Sequence, residues 1–269
     1  VPSAPGARRS HPVHGVVALV LLAISSSVSA QPSEPDYKNP TVPVERRVED
    51  LLRRMTLEEK IAQMGSLNEC PTRCGNLFKP QITDRGKFSP ERAASALKSG
   101  IGEIAFIGLA LDPAQSAAFR NEIQKWVIEN TRLGIPVLFH AEGLHGDAEV
   151  GGTSFPQAIG LASTWDSALI QQVFSVTAQE MRHRSVQQAL APVLDLGVDP
   201  RYGRIEETYG EDPYLAATLG AAAVRGLQGS GPGFDSDHVI ATGKHFLHGH
   251  PQDGTNLAQT DVSERTLRE

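Results

Sequence analysis

The chain has 269 residues, with 25 Lys and Arg against 31 Asp and Glu, a formal net charge of −6 and only two cysteines. The mildly acidic balance argues against a nucleic-acid partner, which wants a basic face, and two thiols alone cannot build a zinc site. The length is enough for one large domain with its own core.

In chain order, the first thirty residues read as an address. Arg8 and Arg9 give a positive start, Val16–Ile24 is apolar, and Val28-Ser-Ala30 offers small residues ahead of Gln31. This predicts a signal peptide over residues 1–30 and a secreted or periplasmic protein. The apolar run is too short to span a bilayer as a stable helix, so no membrane association is expected after cleavage. An uncleaved anchor is the competing reading. Residues 31–43 are Pro-rich and predict an extended linker.

Val44 to Arg54 has helical spacing of Val44, Val48, Leu51 and Leu52, and Thr56-Leu-Glu-Glu59 is a capping box with Thr56 as N-cap. The stretch from Asn68 to Pro90 reads as irregular. It holds Cys70 and Cys74, where export permits a disulfide, with two free loop cysteines as the alternative.

Beyond it an alternation begins. Helices are predicted over Ala93–Lys98, Asp112–Thr131, Asp166–Arg182 and Asp212–Leu227. Strands are predicted over Ile101–Ile107, Gly134–Phe139, Gln188–Asp195 and His238–Gly243, with Pro192 a blemish in the third. Apolar strands alternating with helices predict an α/β fold with a parallel sheet covered on both faces.

The polar chemistry follows the strands. Phe139 leads to His140-Ala-Glu-Gly-Leu-His145-Gly, Asp195 to Asp199-Pro-Arg-Tyr-Gly-Arg204, and Ile240 to Lys244-His245. In barrels and open α/β sheets alike, ligands bind at the carboxyl ends of strands. Plainer readings stand beside each residue. Glu142 alone could be a surface carboxylate. Arg201 and Arg204 could hold a loop through ion pairs with Asp199, Glu206 and Glu207. His140, His145, His248 and His250 could each be an ordinary satisfied histidine. The spacing of His140 and His145 is not a zinc pattern. The glycine pairs lack a phosphate-loop lysine, and there is no Gly-x-Ser-x-Gly elbow. No metal and no cofactor are expected.

Met55-Thr-Leu-Glu-Glu-Lys60, Gly134-Ile-Pro-Val-Leu-Phe-His-Ala-Glu-Gly-Leu-His-Gly146, Ser154-Phe-Pro-Gln, Ala191-Pro-Val-Leu-Asp, Asp199-Pro-Arg-Tyr-Gly-Arg204, Tyr209-Gly-Glu-Asp-Pro213, Lys244-His-Phe246 and Val262-Ser-Glu-Arg occur in this order. Together they resemble the N-terminal barrel domain of glycoside hydrolase family 3, the β-glucosidases and β-xylosidases. The resemblance implies that residues 44–269 form part of a TIM-like (β/α) barrel, incomplete in strands. It implies a glycoside or oligosaccharide substrate, split by retaining hydrolysis of terminal β-D-glucosides or β-D-xylosides in carbohydrate catabolism.

By position in those motifs, Glu142 is expected to hold sugar hydroxyls with its carboxylate, Arg204 to sit at the sugar subsite, and Lys244 with His245 to grip adjacent hydroxyls. Neighbouring side chains on a regular strand point to opposite faces. For Lys244 and His245 to reach one sugar, the pleat must break there, through a bulge, a distorted bond or a cis non-proline peptide.

Two departures bear on the substrate. Most glucosidase-like members carry Asp where this chain has Glu142, as the xylosidase-like branch often does, which tilts the expectation toward a pentoside or mixed substrate. The β-N-acetylglucosaminidase branch shares a Lys-His-Phe start, but Asp253 and His250 do not follow its Asp/His pattern. The family's nucleophile is an aspartate in a Ser-Asp-Trp-like motif, whereas Trp126 and Trp165 here follow Lys and Thr. No catalytic residue is therefore assigned within the chain. The nucleophile and the acid/base are expected beyond Glu269, and this stretch alone is expected to be inactive. The alternative is a non-catalytic sugar-binding remnant.

Overall fold

A parallel sheet is assembled from short strands whose length is set by how far each backbone can find a partner. The computed structural model describes residues 34–69, 80–231, 235–246 and 262–268. The expected signal peptide, Cys70, Cys74, His248, His250 and Asp253 lie outside the described residues. Among the described residues, no helix is long and apolar enough to cross a membrane.

The chain divides into two units at Leu51/Leu52. Helix α1 (Val44–Arg54) begins in the first, as its apolar spacing predicts, and runs across that boundary. The described part of the proline-rich stretch is not simply extended, because Asp36–Lys38 forms a 3₁₀ turn. The Tyr37 N–H donates to Asp50 and the Tyr37 carbonyl accepts from the Arg47 guanidinium, which holds that turn to α1.

The second unit holds the end of α1 and then α2 (Leu57–Gln63), capped by Thr56 as predicted. The Glu59 N–H donates to Thr56 Oγ1 at 3.2 Å and the Thr56 N–H donates to Glu59 Oε2 at 2.8 Å. Glu59 also accepts from Arg132, and that contact, against the cost of burial, holds its carboxyl below the usual range. Replacing Thr56 by alanine removes one half of the box and should cost about 1 kcal/mol. In thermal unfolding this should lower Tm by about 2–4 °C. An unchanged Tm would mean that the cap does not contribute.

Strands β1 (Ser66–Asn68), β4 (Glu103–Ala105), β5 (Leu138–Ala141), β6 (Gln188–Ala189) and β7 (Ile240–Ala241) form one all-parallel sheet in the order β1-β4-β5-β6-β7. Register places Leu67, Ile104 and Phe139 side by side, all buried, and across the other half aligns buried Ala141 and Ala189 with half-buried Ala241. Among the described residues β1 and β7 are its two edges.

The strands are shorter than their apolar runs. β4 ends at Ala105 because Phe106 turns to a φ of +60°. Pro136 cannot donate, and the Gln124 side chain takes both the N–H and the carbonyl of Val137, so β5 starts only at Leu138. β6 stops at Ala189, and the Ala191–Pro192 bond ahead of it is cis.

The stretch expected to be irregular holds β1 at its start and a small hairpin, β2 (Thr83–Asp84) and β3 (Lys87–Phe88). Arg85 and Gly86 between them both have positive φ, as a two-residue hairpin requires. Buried Glu69 receives the N–H groups of Gln81, Ile82 and Thr83, which orders the approach to this hairpin.

Helices α3 (Pro90–Ala96), α4 (Pro113–Asn130), α6 (Ser167–His183) and α7 (Pro213–Gln228) lie within a few residues of their predicted spans. The short α5 (Ala158–Ala162) was not predicted, and α8 (Glu264–Arg268) closes the described chain. One core cluster joins α3 and α4 to β1, β4 and β5 through Ala93, Ile123, Val127, Leu67, Ile104 and Phe139. The other packs α6 on α7 through Ile170, Phe174, Met181, Leu219 and Leu227. Each such side chain contributes about 1.5–3 kcal/mol on burial. Gly226 permits the close α6–α7 approach, since a Cβ there would meet the Gln171 carbonyl and Phe174.

Candidate functional site

Three strand ends converge on one polar region. Glu142 directly follows β5, and its side chain is 34% exposed. Lys244 lies three residues beyond β7, with its side chain 12% exposed. Its Nζ donates to Glu142 Oε2 at 2.7 Å, across 102 residues of sequence.

The backbone explains how Lys244 arrives there. Beyond the cis proline the ladder between the β6 and β7 segments resumes. The Lys244 N–H donates to the Pro192 carbonyl at 3.0 Å, and the Leu194 N–H to the Lys244 carbonyl at 2.7 Å. The next peptide bond, Lys244–His245, is cis, which is one of the three forms of broken pleat expected for this pair. The His245 N–H leaves the ladder and donates to Asp195 Oδ1 at 2.8 Å. The ring nitrogen Nδ1 of His245 lies 2.8 Å from Asp195 Oδ2. Asp195 is only 3% exposed.

Arg204 is placed differently. Its Nε and Nη2 donate to the two carboxylate oxygens of Glu207 at 2.8 and 2.6 Å, a bidentate pair. Arg201 is similarly engaged by Asp199, which holds that carboxyl down at about 2. The ion-pair reading of this turn therefore describes both arginines as they stand. The turn still reaches the carboxylate that holds the Lys-His segment, because the Tyr202 hydroxyl lies 3.4 Å from Asp195 Oδ2. Burial, reinforced by the Asp195 charge, pushes the Tyr202 phenol up to about 12.

Of the other histidines, His140 and His145 lie among the described residues and each faces a neighbouring group. His140 is buried with Nδ1 at 3.1 Å from Glu103 Oε2. Burial pushes the His140 imidazole down, with Glu103 pulling the other way. His145 Nδ1 meets the Phe155 carbonyl at 3.0 Å.

The loop after Glu142 is held from beneath by buried charge. Arg120 of α4 pairs with Glu149, to which Ser116 also donates at 2.8 Å. Arg184, at the end of α6, pairs with Asp147, lies 3.7 Å from Glu149 and donates to the Val150 carbonyl at 2.7 Å. Burial pushes the Asp147 carboxyl up while Arg184 pulls it down. Gly146 (φ +116°) is needed in this loop, since a Cβ would run into the Thr153 carbonyl. A cavity of about 380 Å³ opens beside Glu142, lined also by Leu144, His145, Asp147, Thr153 and Ser154.

Of the expected site residues, Glu142 and Lys244 are thus in contact, His245 adjoins them through the chain, and the turn of Arg204 reaches them through Tyr202 and Asp195. The sequence motif Ala191–Asp195 contains Asp195 without assigning it a role. Its place at a strand end, in a run otherwise apolar, was the available signal.

The family model of the glycosyl hydrolase family 3 N-terminal domain matches residues 56–269. The chain belongs to glycoside hydrolase family 3. A β-xylosidase of Formosa agariphila is 48% identical over 149 residues, which are 52% of this chain and 20% of that protein. β-Glucosidase C of Emericella nidulans is 32% identical over 261 residues, covering 88% of this chain and 40% of that one. A solved β-glucosidase structure from Erythrobacter marinus matches with a TM-score of 0.73 at 30% identity, over 86% of this chain and 29% of its own. This family 3 chain therefore spans less than half the length of each of these relatives.

Proposed function

We propose that this chain supplies the sugar-gripping wall of an exported retaining β-glycosidase acting on terminal β-D-glucosides or β-D-xylosides. The observation that carries the reading is the Lys244–Glu142 contact, with His245 beside it. A carboxylate able to accept from two hydroxyls and an ammonium able to donate to others suit a polyhydroxylated ring. A sugar entering there would exchange the Lys244–Glu142 bond for bonds of each group to hydroxyls. Arg204, drawn in part from Glu207, would add a third grip at the same subsite. Such bonds can tighten as oxocarbenium character develops.

Retaining hydrolysis also needs two carboxyl groups about 5–5.5 Å apart, one as nucleophile and one as acid/base. In this reading both come from beyond Glu269, and the strands here are the first part of a (β/α) barrel whose remainder lies there too. Glu142, one methylene longer than aspartate, reaches further into the space where a hexose carries its hydroxymethyl group, which favours a pentoside.

The test compares the 269-residue form with protein extended through its natural reading frame. Both are assayed for p-nitrophenol release from the β-glucoside, β-xyloside and β-N-acetylglucosaminide. Activity in the longer form alone is expected, with the xyloside at least matching the glucoside. Turnover by the 269-residue form would overturn the placement of the nucleophile. Silence in both, with sugar still bound, would turn the assignment to a non-catalytic sugar-binding protein.

A further inference from the structure

We infer that Asp195 is the positioning residue of this site, the buried carboxylate that fixes both the backbone and the ring of His245. The inference rests on His245 being a sugar-binding residue and adds the means by which it is held. A single side chain, 3% exposed, receives the His245 N–H on Oδ1 and faces His245 Nδ1 with Oδ2, both at 2.8 Å. The Tyr202 hydroxyl approaches the same Oδ2 at 3.4 Å. Asp195 therefore ties three segments together: its own strand end, the turn that carries Arg204, and the cis Lys244–His245 pair.

The chemistry of a carboxylate makes this more than packing. An ionised Asp accepts only, so the nitrogen facing it must carry the proton. His245 is thereby held with Nδ1 protonated, and the part-exposed ring turns Nε2 away from the buried carboxylate. This fixes which nitrogen meets the sugar and in what protonation pattern, the same control a carboxylate exerts on other functional imidazoles. Because Asp195 holds the His245 backbone N–H as well, the carboxylate stays in place beside the ring, and rotation of the ring forfeits the Nδ1–Asp195 contact.

The test uses protein expressed from its complete reading frame. Asp195→Asn keeps the shape but can present an N–H to Nδ1, which reverses the ring's protonation pattern. It should lower kcat/KM by about 10- to 100-fold, as loss of an orienting partner commonly does. In a double-mutant cycle, Asp195→Asn in the His245→Ala background should cost little more than His245→Ala alone. Losses that multiply would overturn the positioning role and leave the sugar-binding reading intact. A His245→Ala variant with unchanged kcat/KM would instead overturn the role of His245 itself. Side-chain ¹⁵N NMR of His245 keeps the inference testable if Asp195→Asn does not fold. Wild-type protein is expected to show Nδ1 protonated, and a bare Nδ1 would overturn the proposal.

Discussion

Replacing Glu142 by alanine in the full-reading-frame protein should lower kcat/KM on p-nitrophenyl glycosides by about 10²–10³-fold. Two losses combine. The sugar loses a charged acceptor for up to two hydroxyls, and hydrogen bonds to charged groups contribute about 1.5–3 kcal/mol each. Lys244, with its side chain only 12% exposed, also loses the anionic partner it has in Glu142 and the order that partner imposes. Glu142→Asp separates the two effects, since it keeps the charge but withdraws it by one methylene. That variant should retain most activity and shift the ratio of glucoside to xyloside turnover toward the glucoside. A Glu142→Ala enzyme within about threefold of wild type would remove this carboxylate from the sugar site, as less than 1 kcal/mol would then be at stake.

Replacing Arg184 by methionine should lower folding stability by about 3–5 kcal/mol, because it strands a buried charge. Arg184 and Arg120 face Asp147 and Glu149 in a cluster whose side chains are almost wholly out of solvent. The four charges balance, and removal of one arginine leaves two carboxylates sharing a single guanidinium. The Val150 carbonyl loses its donor at the same time. For a domain of this size the expected fall in Tm is about 10 °C. The double variant Arg184→Met, Asp147→Leu should recover part of that loss, since an apolar pair of similar volume avoids the desolvation cost. A fall in Tm under about 2 °C would show that the loop neutralises its carboxylates by another route. The same substitution should also weaken substrate binding, because Asp147 and Glu149 anchor the loop that begins at Glu142.

The helices were legible in the sequence because their determinants are local. Thr56, Asp112, Asp166 and Asp212 each cap a helix through an N–H two or three residues ahead, and Pro113 and Pro213 stand at the first turn. The parallel strands were legible as a pattern, since an apolar run covered on both faces leaves few other homes. Where each strand starts was not. The Val137 backbone is taken by a glutamine from α4, and the partner of Lys244 sits beyond a cis proline. Ladder limits depend on groups tens of residues away, and no local preference encodes them.

The site divides in the same way. The placement of Glu142, Lys244 and His245 just after strands could be read from residue order, and the broken pleat at Lys244–His245 from side-chain alternation once the family resemblance implied that both residues grip one sugar. Ion pairs of Arg201 and Arg204 with Asp199, Glu206 or Glu207 were readable too, all five being near in sequence, whereas the choice of Glu207 for Arg204 came from the structure. What only the tertiary structure decided is which groups meet: Lys244 with Glu142 across 102 residues, and His245 with Asp195 across 50. Each of those contacts depends on β5, β6 and β7 lying side by side, a long-range pairing set by the sheet as a whole.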